Sequence, residues 1–182
     1  MLSKGLTPLF VTVALVTGCA STMTPPTGSE RVEIAFSPEA GAQALVLKTL
    51  NGARKSVRLA GYSFTSPDVV SGLVEAHKRG VDVKALVDDR GNRSTTSTAA
   101  LRLVVASGIP VRTISTYAIH HDKYIVVDET HTQTGSFNYS RAAAQVNSEN
   151  VVVIWNNVTV AANYPQHWVS RWGQGKDVPA GY

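Results

Sequence analysis

Cysteine is nearly absent from this chain of 182 residues: Cys19 is the only one, so no intramolecular disulfide can form. Low-complexity sequence is scarce and no internal repeat is visible, which excludes a disordered or repetitive chain. Strong charge of either sign is also missing. The net charge of +4 and pI near 9.3 favour acidic partners such as nucleic acid or anionic lipid heads, but are too small to select one. No cluster of cysteines or carboxylates completes a zinc site. His120 and His121 are adjacent, and on a strand they would point to opposite faces. What remains is a hydrophobic fraction of 43% in a length that allows one compact domain with a sizeable core.

The first residues read as an export signal, residues 1–20. Lys4 supplies a minimal positive region, and Leu6 to Val16 is mostly apolar and too short to span a bilayer stably. Val16-Thr17-Gly18-Cys19 resembles a bacterial lipoprotein box, which would make Cys19 a lipidation site and attach the protein to a membrane; cleavage after Ala20 is the rival reading. Either way the expectation is an exported protein of the bacterial periplasm or cell envelope. Residues 21–30, with Thr24, Pro25, Pro26 and Gly28, have the character of a tether. The folded domain is expected over 31–174, followed by a tail over 175–182.

Within that domain short apolar runs alternate with helical periodicity. Strands are expected at 32–36, 57–62, 81–87, 111–114 and 151–155, and helices at 42–51, 68–78, 99–107, 139–145 and 158–172. Residues 90–97 read as a polar loop. The runs at 124–127 and 133–135 flank a tight turn at 128–130 and predict a hairpin. The alternation implies a single α/β domain with a mixed, mostly parallel sheet covered by helices on both faces.

The densest chemistry is His121-Asp-Lys123-Tyr-Ile-Val-Val-Asp128, followed by Gly135-Ser136-Phe-Asn138. An imidazole, an ammonium, a hydroxyl and an amide are the groups needed to attack and hold a phosphodiester without a metal. If His121 to Val127 is extended, His121 and Lys123 share one face while Asp122 and Tyr124 take the other. The ammonium can then hold a non-bridging oxygen beside a nucleophilic imidazole, and Ser136 and Asn138 can donate further hydrogen bonds to phosphate oxygens. A nucleophilic imidazole needs its second nitrogen fixed, usually by a carboxylate. Glu149, at the opening of a buried strand, is the candidate. Asp128 falls at the turn with the opposite parity and is expected to brace it. The constellation occurs once, whereas displacement through a covalent intermediate needs a nucleophile and a separate acid. The missing half points to a second, identical chain.

Blander readings stand beside these. Asp88, Asp89, Asp122 and Asp128 could be offered as magnesium ligands, but strand-end aspartates are more often turn or cap residues. Arg90 and Arg93 can grip a nucleic-acid backbone or simply be solvated, and Trp168 and Trp172 read as core rather than a stacking platform.

Taken whole, His121-x-Lys123-x4-Asp128-x6-Gly135-Ser136-x-Asn138 resembles the signature of the phospholipase D superfamily. With Gly61-Tyr-Ser-Phe-Thr-Ser, Gly80-Val-Asp-Val-Lys and Asn147-Ser-Glu149-Asn150, the chain is similar to the small single-motif Nuc-type endonucleases of that superfamily, approximately from Val32 to Trp155. The resemblance implies a phosphodiester hydrolase that needs no cofactor or divalent metal and works as a homodimer. It makes His121 the nucleophile of a phosphohistidine, with the second chain's copy as general acid and base. It gives phosphate binding to Lys123 and Asn138 with Ser136 alongside, orientation of the histidine to Glu149, and a structural role to Asp128. Nucleic acid is the expected substrate, phospholipid the alternative, and a phosphate-binding module with a dead site the non-enzymatic reading.

Overall fold

The computed structural model describes residues 28–39 and 41–180. The expected signal, the lipidation site at Cys19 and most of the tether lie outside the described residues. The elements run β1 (Arg31–Ser37), α1 (Ala42–Gly52), β2 (Ser56–Gly61), α2 (Pro67–Lys78), β3 (Asp82–Asp88), a 3-10 turn (Arg90–Asn92), α3 (Thr95–Ala106), β4 (Val111–Ile114), β5 (Lys123–Val127), β6 (His131–Gly135), α4 (Arg141–Gln145), β7 (Glu149–Trp155), α5 (Val158–Ala161), α6 (Asn163–Gln174) and β8 (Lys176–Asp177). They form a single α/β domain around one eight-stranded mixed sheet of order β1-β7-β6-β5-β2-β3-β4-β8.

The expectation of a mostly parallel sheet needs correcting in its balance. Only β2–β3 and β3–β4 pair in parallel, the two ladders joined by the crossover helices α2 and α3. The hairpin β5–β6 is antiparallel because so short a connection can only reverse the chain, and β2–β5, β6–β7, β1–β7 and β4–β8 are antiparallel as well.

Period-two alternation divides the sheet's side chains between two layers. Val57, Leu59, Val83, Ala85, Ile125 and Val127 meet α1, α2 and α3, while Ala60, Leu86, Tyr124 and Val126 meet Ala161 and Trp168 of α5 and α6. The helices supply matching stripes. In α2, Ser66 caps the amino end by accepting from Val69 N, Pro67 opens the first turn, and Val69, Val70, Leu73 and Ala76 are buried. Trp168 is buried and its Nε1 donates to Leu59 O at 3.1 Å; Trp172 stacks on it at 4.7 Å under the Arg112 guanidinium, so the pair packs in the second layer.

Several boundaries differ from the sequence reading. Helix α3 begins at Thr95 because Ser94 caps it, so part of the expected loop is ordered helix. The expected closing helix is interrupted: Asn157 caps the short α5, and α6 starts anew at Asn163. The expected tail contributes β8 against β4 and buries Val178, so the fold extends past residue 174.

The aspartates weighed as magnesium ligands take separate positions. Asp88 accepts from Gly91 N and His120 N, Asp89 pairs with Arg93, and Asp122 faces His120 and His167. Asp128 accepts from the backbone N–H groups of Arg54, Lys55 and Ser56 at 2.9, 2.7 and 2.8 Å. It also occupies a left-handed turn with Glu129 (φ 53° and 55°), closed by Thr130 N donating to Val127 O, within a three-residue connection that brings Val127 into register with His131. Because charged hydrogen bonds are strong and three donors would lose their acceptor, Asp128→Ala is expected to lower stability by roughly 2–4 kcal/mol in urea unfolding. Asp128→Asn, which keeps an acceptor and tolerates the turn, should cost less.

Candidate active site

The strand directions bring the chemical groups to one edge of the sheet. Gly61 at the end of β2 registers with Lys123 at the start of β5, Tyr124 with Thr134 near the end of β6, and Gly135 with Val151 just inside β7. The edge therefore lies at the carboxyl ends of β2 and β3, where ligands of open α/β sheets bind. Asp128, at the other end of β5, is one strand length away, roughly 15 Å at ~3.3 Å per residue.

His121 and Asp122 lie just before β5, and side chains alternate through the segment. The rings of His121 and Tyr62 are 4.9 Å apart, and Lys123 Nζ sits 5.3 Å over the same Tyr62 ring. Asp122 and Tyr124 face α6, where Tyr124 Oη and His167 Nδ1 are 3.0 Å apart. His121 is exposed, and its ring makes no hydrogen bond among the described residues. Lys123 is buried at 7% exposure, with Nζ donating to His121 O at 3.0 Å. Burial lowers its pKa, and the charges of Glu149 and Asp122 counter part of that shift.

Beyond β6 the chain leaves the ladder. Gly135 has φ 148°, and a Cβ there would collide with the Asn150 carbonyl oxygen, so only glycine lets the strands come this close. Ser136 Oγ then donates to Glu149 Oε2 at 2.6 Å and accepts from Asn150 N at 3.0 Å and Asn150 Nδ2 at 3.2 Å. The other carboxylate oxygen of Glu149 accepts from Asn147 Nδ2 at 2.9 Å. Within the chain Glu149 holds Ser136 and Asn147, not the His121 ring. The single hydroxyl proton of Ser136 is committed to Glu149, so Ser136 cannot also donate to a phosphate while that bond stands. Asn138 is less constrained: Oδ1 accepts from Ser63 N at 3.5 Å, and its Nδ2 has no partner among the described residues.

An open cleft of about 570 Å³ adjoins these groups, lined by His121, Asp122, Lys123, Tyr124, Thr134 and Gly135 on the sheet side and by Asn163, Tyr164 and His167 of α6. Sequence reasoning missed Tyr62 as the ring shared by His121 and Lys123, although Gly61-Tyr-Ser-Phe stood in the resemblance. It also missed His167, which no local motif marks.

The family described as cardiolipin synthase, PLD-like domain, matches residues 46–172. The chain is 32% identical over 141 residues to a phospholipase D of Rickettsia bellii, covering 78% of this chain and 69% of that one. It is 31% identical over 127 residues to a mitochondrial cardiolipin hydrolase of Xenopus tropicalis, covering 70% and 59%. Among solved structures, Nuc of Salmonella typhimurium, a phospholipase D family member, superposes with a TM-score of 0.81 at 48% identity, over 82% of this chain and 99% of that one. The fold and the clustered edge thus define a phosphodiester hydrolase. The chain belongs to the phospholipase D superfamily.

Lys123 allows a test that separates stability from activity. Its folded-state pKa lies below the ordinary 10.5 of the unfolded chain, so between those two values the unfolded chain holds more protons and this group adds stability as pH rises. Lys123→Met should remove that increment from the stability–pH profile and leave the neutral-pH melting temperature equal to or above that of the wild type. Turnover of bis(4-nitrophenyl) phosphate should fall by about 100-fold or more, the scale of losing one transition-state donor.

Proposed function

We propose that this hydrolase cleaves nucleic acid as an endonuclease of little base specificity, by two displacements at phosphorus that use no metal. A free imidazole nitrogen of His121 attacks phosphorus and forms a phosphohistidine. The departing oxygen takes a proton from His121 of a second chain. That second imidazole then removes a proton from water, which attacks phosphorus and breaks the phosphorus–nitrogen bond, releasing a phosphomonoester and restoring both histidines. Lys123 and Asn138 hold the non-bridging oxygens, while Glu149 fixes the Ser136 side of the site.

The observation that carries this reading is the exposed His121 ring, free of internal hydrogen bonds, beside the buried Lys123 ammonium at an open cleft. Similarity to Nuc over nearly all of that chain, with the resemblance to single-motif Nuc-type endonucleases, supports nucleic acid. The names of the other relatives favour phospholipid as the second reading. Against it, among the described residues no Val, Leu, Ile, Ala or Met lines the cleft, whereas an acyl chain would need an apolar channel.

A second copy is supported by edge strand β1, whose Val32, Ile34 and Phe36 are 54–61% exposed on the face that α5 and α6 leave uncovered. Phe36 registers with Asn150, a partner of Ser136, so this apolar strip ends beside the site.

Plasmid DNA and phosphatidylcholine vesicles offered side by side in excess EDTA test the chemistry. DNA should be nicked by the wild type and left intact by His121→Ala. Dependence on added metal would overturn the mechanism, and faster lipid turnover would replace the substrate. The shared site has its own test by mixing wild type with His121→Ala under exchange. Total activity should follow the square of the wild-type fraction, because only wild-type pairs carry both histidines; a linear dependence would mean that each chain works alone.

A further inference from the structure

We propose that the face of α6 carrying Asn163, Tyr164, His167 and Arg171 is the subsite for the nucleotide next to the scissile phosphate, with its nucleoside against Tyr164 and the following phosphate at Arg171. This rests on the nucleic-acid reading above. Asn163, Tyr164 and His167 form the cleft wall opposite His121 and Lys123. A second hollow of about 150 Å³ continues from it, sharing His121, Asp122 and His167 and ending at Tyr117, Ile119, His120 and Arg171. Residues 163, 164, 167 and 171 recur at helical spacing, so one face of α6 borders both hollows. The path therefore runs from the nucleophile's side along about two turns of helix, from Tyr164 to Arg171, to a cation.

The groups along this path suit a nucleotide. Tyr164 is half-buried and packed edge-on against Tyr124 at 4.8 Å, which holds its ring rigid for a base. Asn163 Nδ2 donates to Thr159 O, leaving its carbonyl oxygen to accept from a base edge. His167 is fixed on two sides: burial pushes the Tyr124 phenol well up, so it keeps its proton and can donate to Nδ1, while Nε2 lies 3.7 Å from Asp122 Oδ2. Asp122 also faces His120 Nδ1 at 3.4 Å, so its negative charge is turned toward two imidazoles. Arg171 lies 4.9 Å over the Tyr117 ring and donates to Ser170 Oγ, and no carboxylate pairs with it among the described residues. An unpaired guanidinium on a ring, one helical turn beyond a nucleoside-sized space, fits the next backbone phosphate.

The test compares a labelled single-stranded oligonucleotide with bis(4-nitrophenyl) phosphate, a diester that lacks the flanking nucleotide. In Tyr164→Ala the ratio of kcat/KM for the oligonucleotide to that for the small diester should fall on the order of tenfold, chiefly through KM, and Tyr164→Phe should restore it. Arg171→Gln should reduce the slope of log KM against log salt by about 0.7, one phosphate contact on a single strand. Equal losses on both substrates, or an unchanged salt slope in Arg171→Gln, would overturn the subsite while leaving the endonuclease reading intact. A wild type that turns over phosphatidylcholine vesicles and not the oligonucleotide would overturn both.

Discussion

The approach of β6 to β7 at Gly135 is the constraint on which the site depends. The Asn150 carbonyl oxygen occupies the space that a side chain at 135 would need, and Ser136 N donates to that same oxygen at 3.2 Å. With the backbones locked so close, Ser136 Oγ falls within reach of both the Asn150 amide and the Glu149 carboxylate. A larger residue at 135 would separate the strands and displace all three groups. The carboxylate so fixed lies near enough to Lys123 to oppose the loss of its charge. A glycine with no chemistry of its own thus helps place one of the two carboxylates that oppose the effect of burial on the ammonium.

Burial and charge act against each other at this edge. The Lys123 ammonium is held at 7% exposure over the Tyr62 ring, tethered to a backbone carbonyl. Such a group weakens the folded state and sharpens the field felt by a bound phosphate, since a desolvated cation acts through less intervening water. The opposite end of β5 offsets this cost with ordinary structural bonds: Asp128 gathers three backbone donors and ties the end of β5 to the segment that enters β2. One motif therefore contains a stabilising end and a reactive end, separated by the length of a strand.

Much of this was legible in the sequence because it depends on local pattern. The runs 124–127 and 133–135 on either side of a polar turn are what a hairpin requires, and the stripe of Val69, Val70, Leu73 and Ala76 is what a crossover helix requires. The parallel bias was overestimated because buried antiparallel and parallel strands both read as continuous apolar runs; Val151 to Trp155 carries no mark of its direction. β8 escaped notice because two residues have no period, and their pairing is set by β4. Glu149 lies at this edge, where its carboxylate meets Ser136 and Asn147 of its own chain. Parity shows which face a side chain takes, whereas the choice between Ser136 and His121 depends on where the chain goes after Gly135. His167 and Tyr62 reach the site through tertiary packing alone.

The hydrogen bonds limit which groups of one chain can serve the two displacements proposed above. The Ser136 hydroxyl donates its one hydrogen bond to Glu149, so the donors left for the non-bridging oxygens are the Lys123 ammonium and the Asn138 amide. His121 faces solvent with its ring unbound among the described residues, while His167 has one nitrogen beside the Tyr124 hydroxyl and the other toward Asp122. A second imidazole is therefore near the cleft, but it is held where a bound leaving group would have to displace existing partners. Proton transfer to the departing oxygen calls for an imidazole as unencumbered as His121 itself. In the proposed two-chain arrangement, the exposed strip on β1, ending at the strand that carries Glu149 and Asn150, is the face on which the identical chain would approach to supply it.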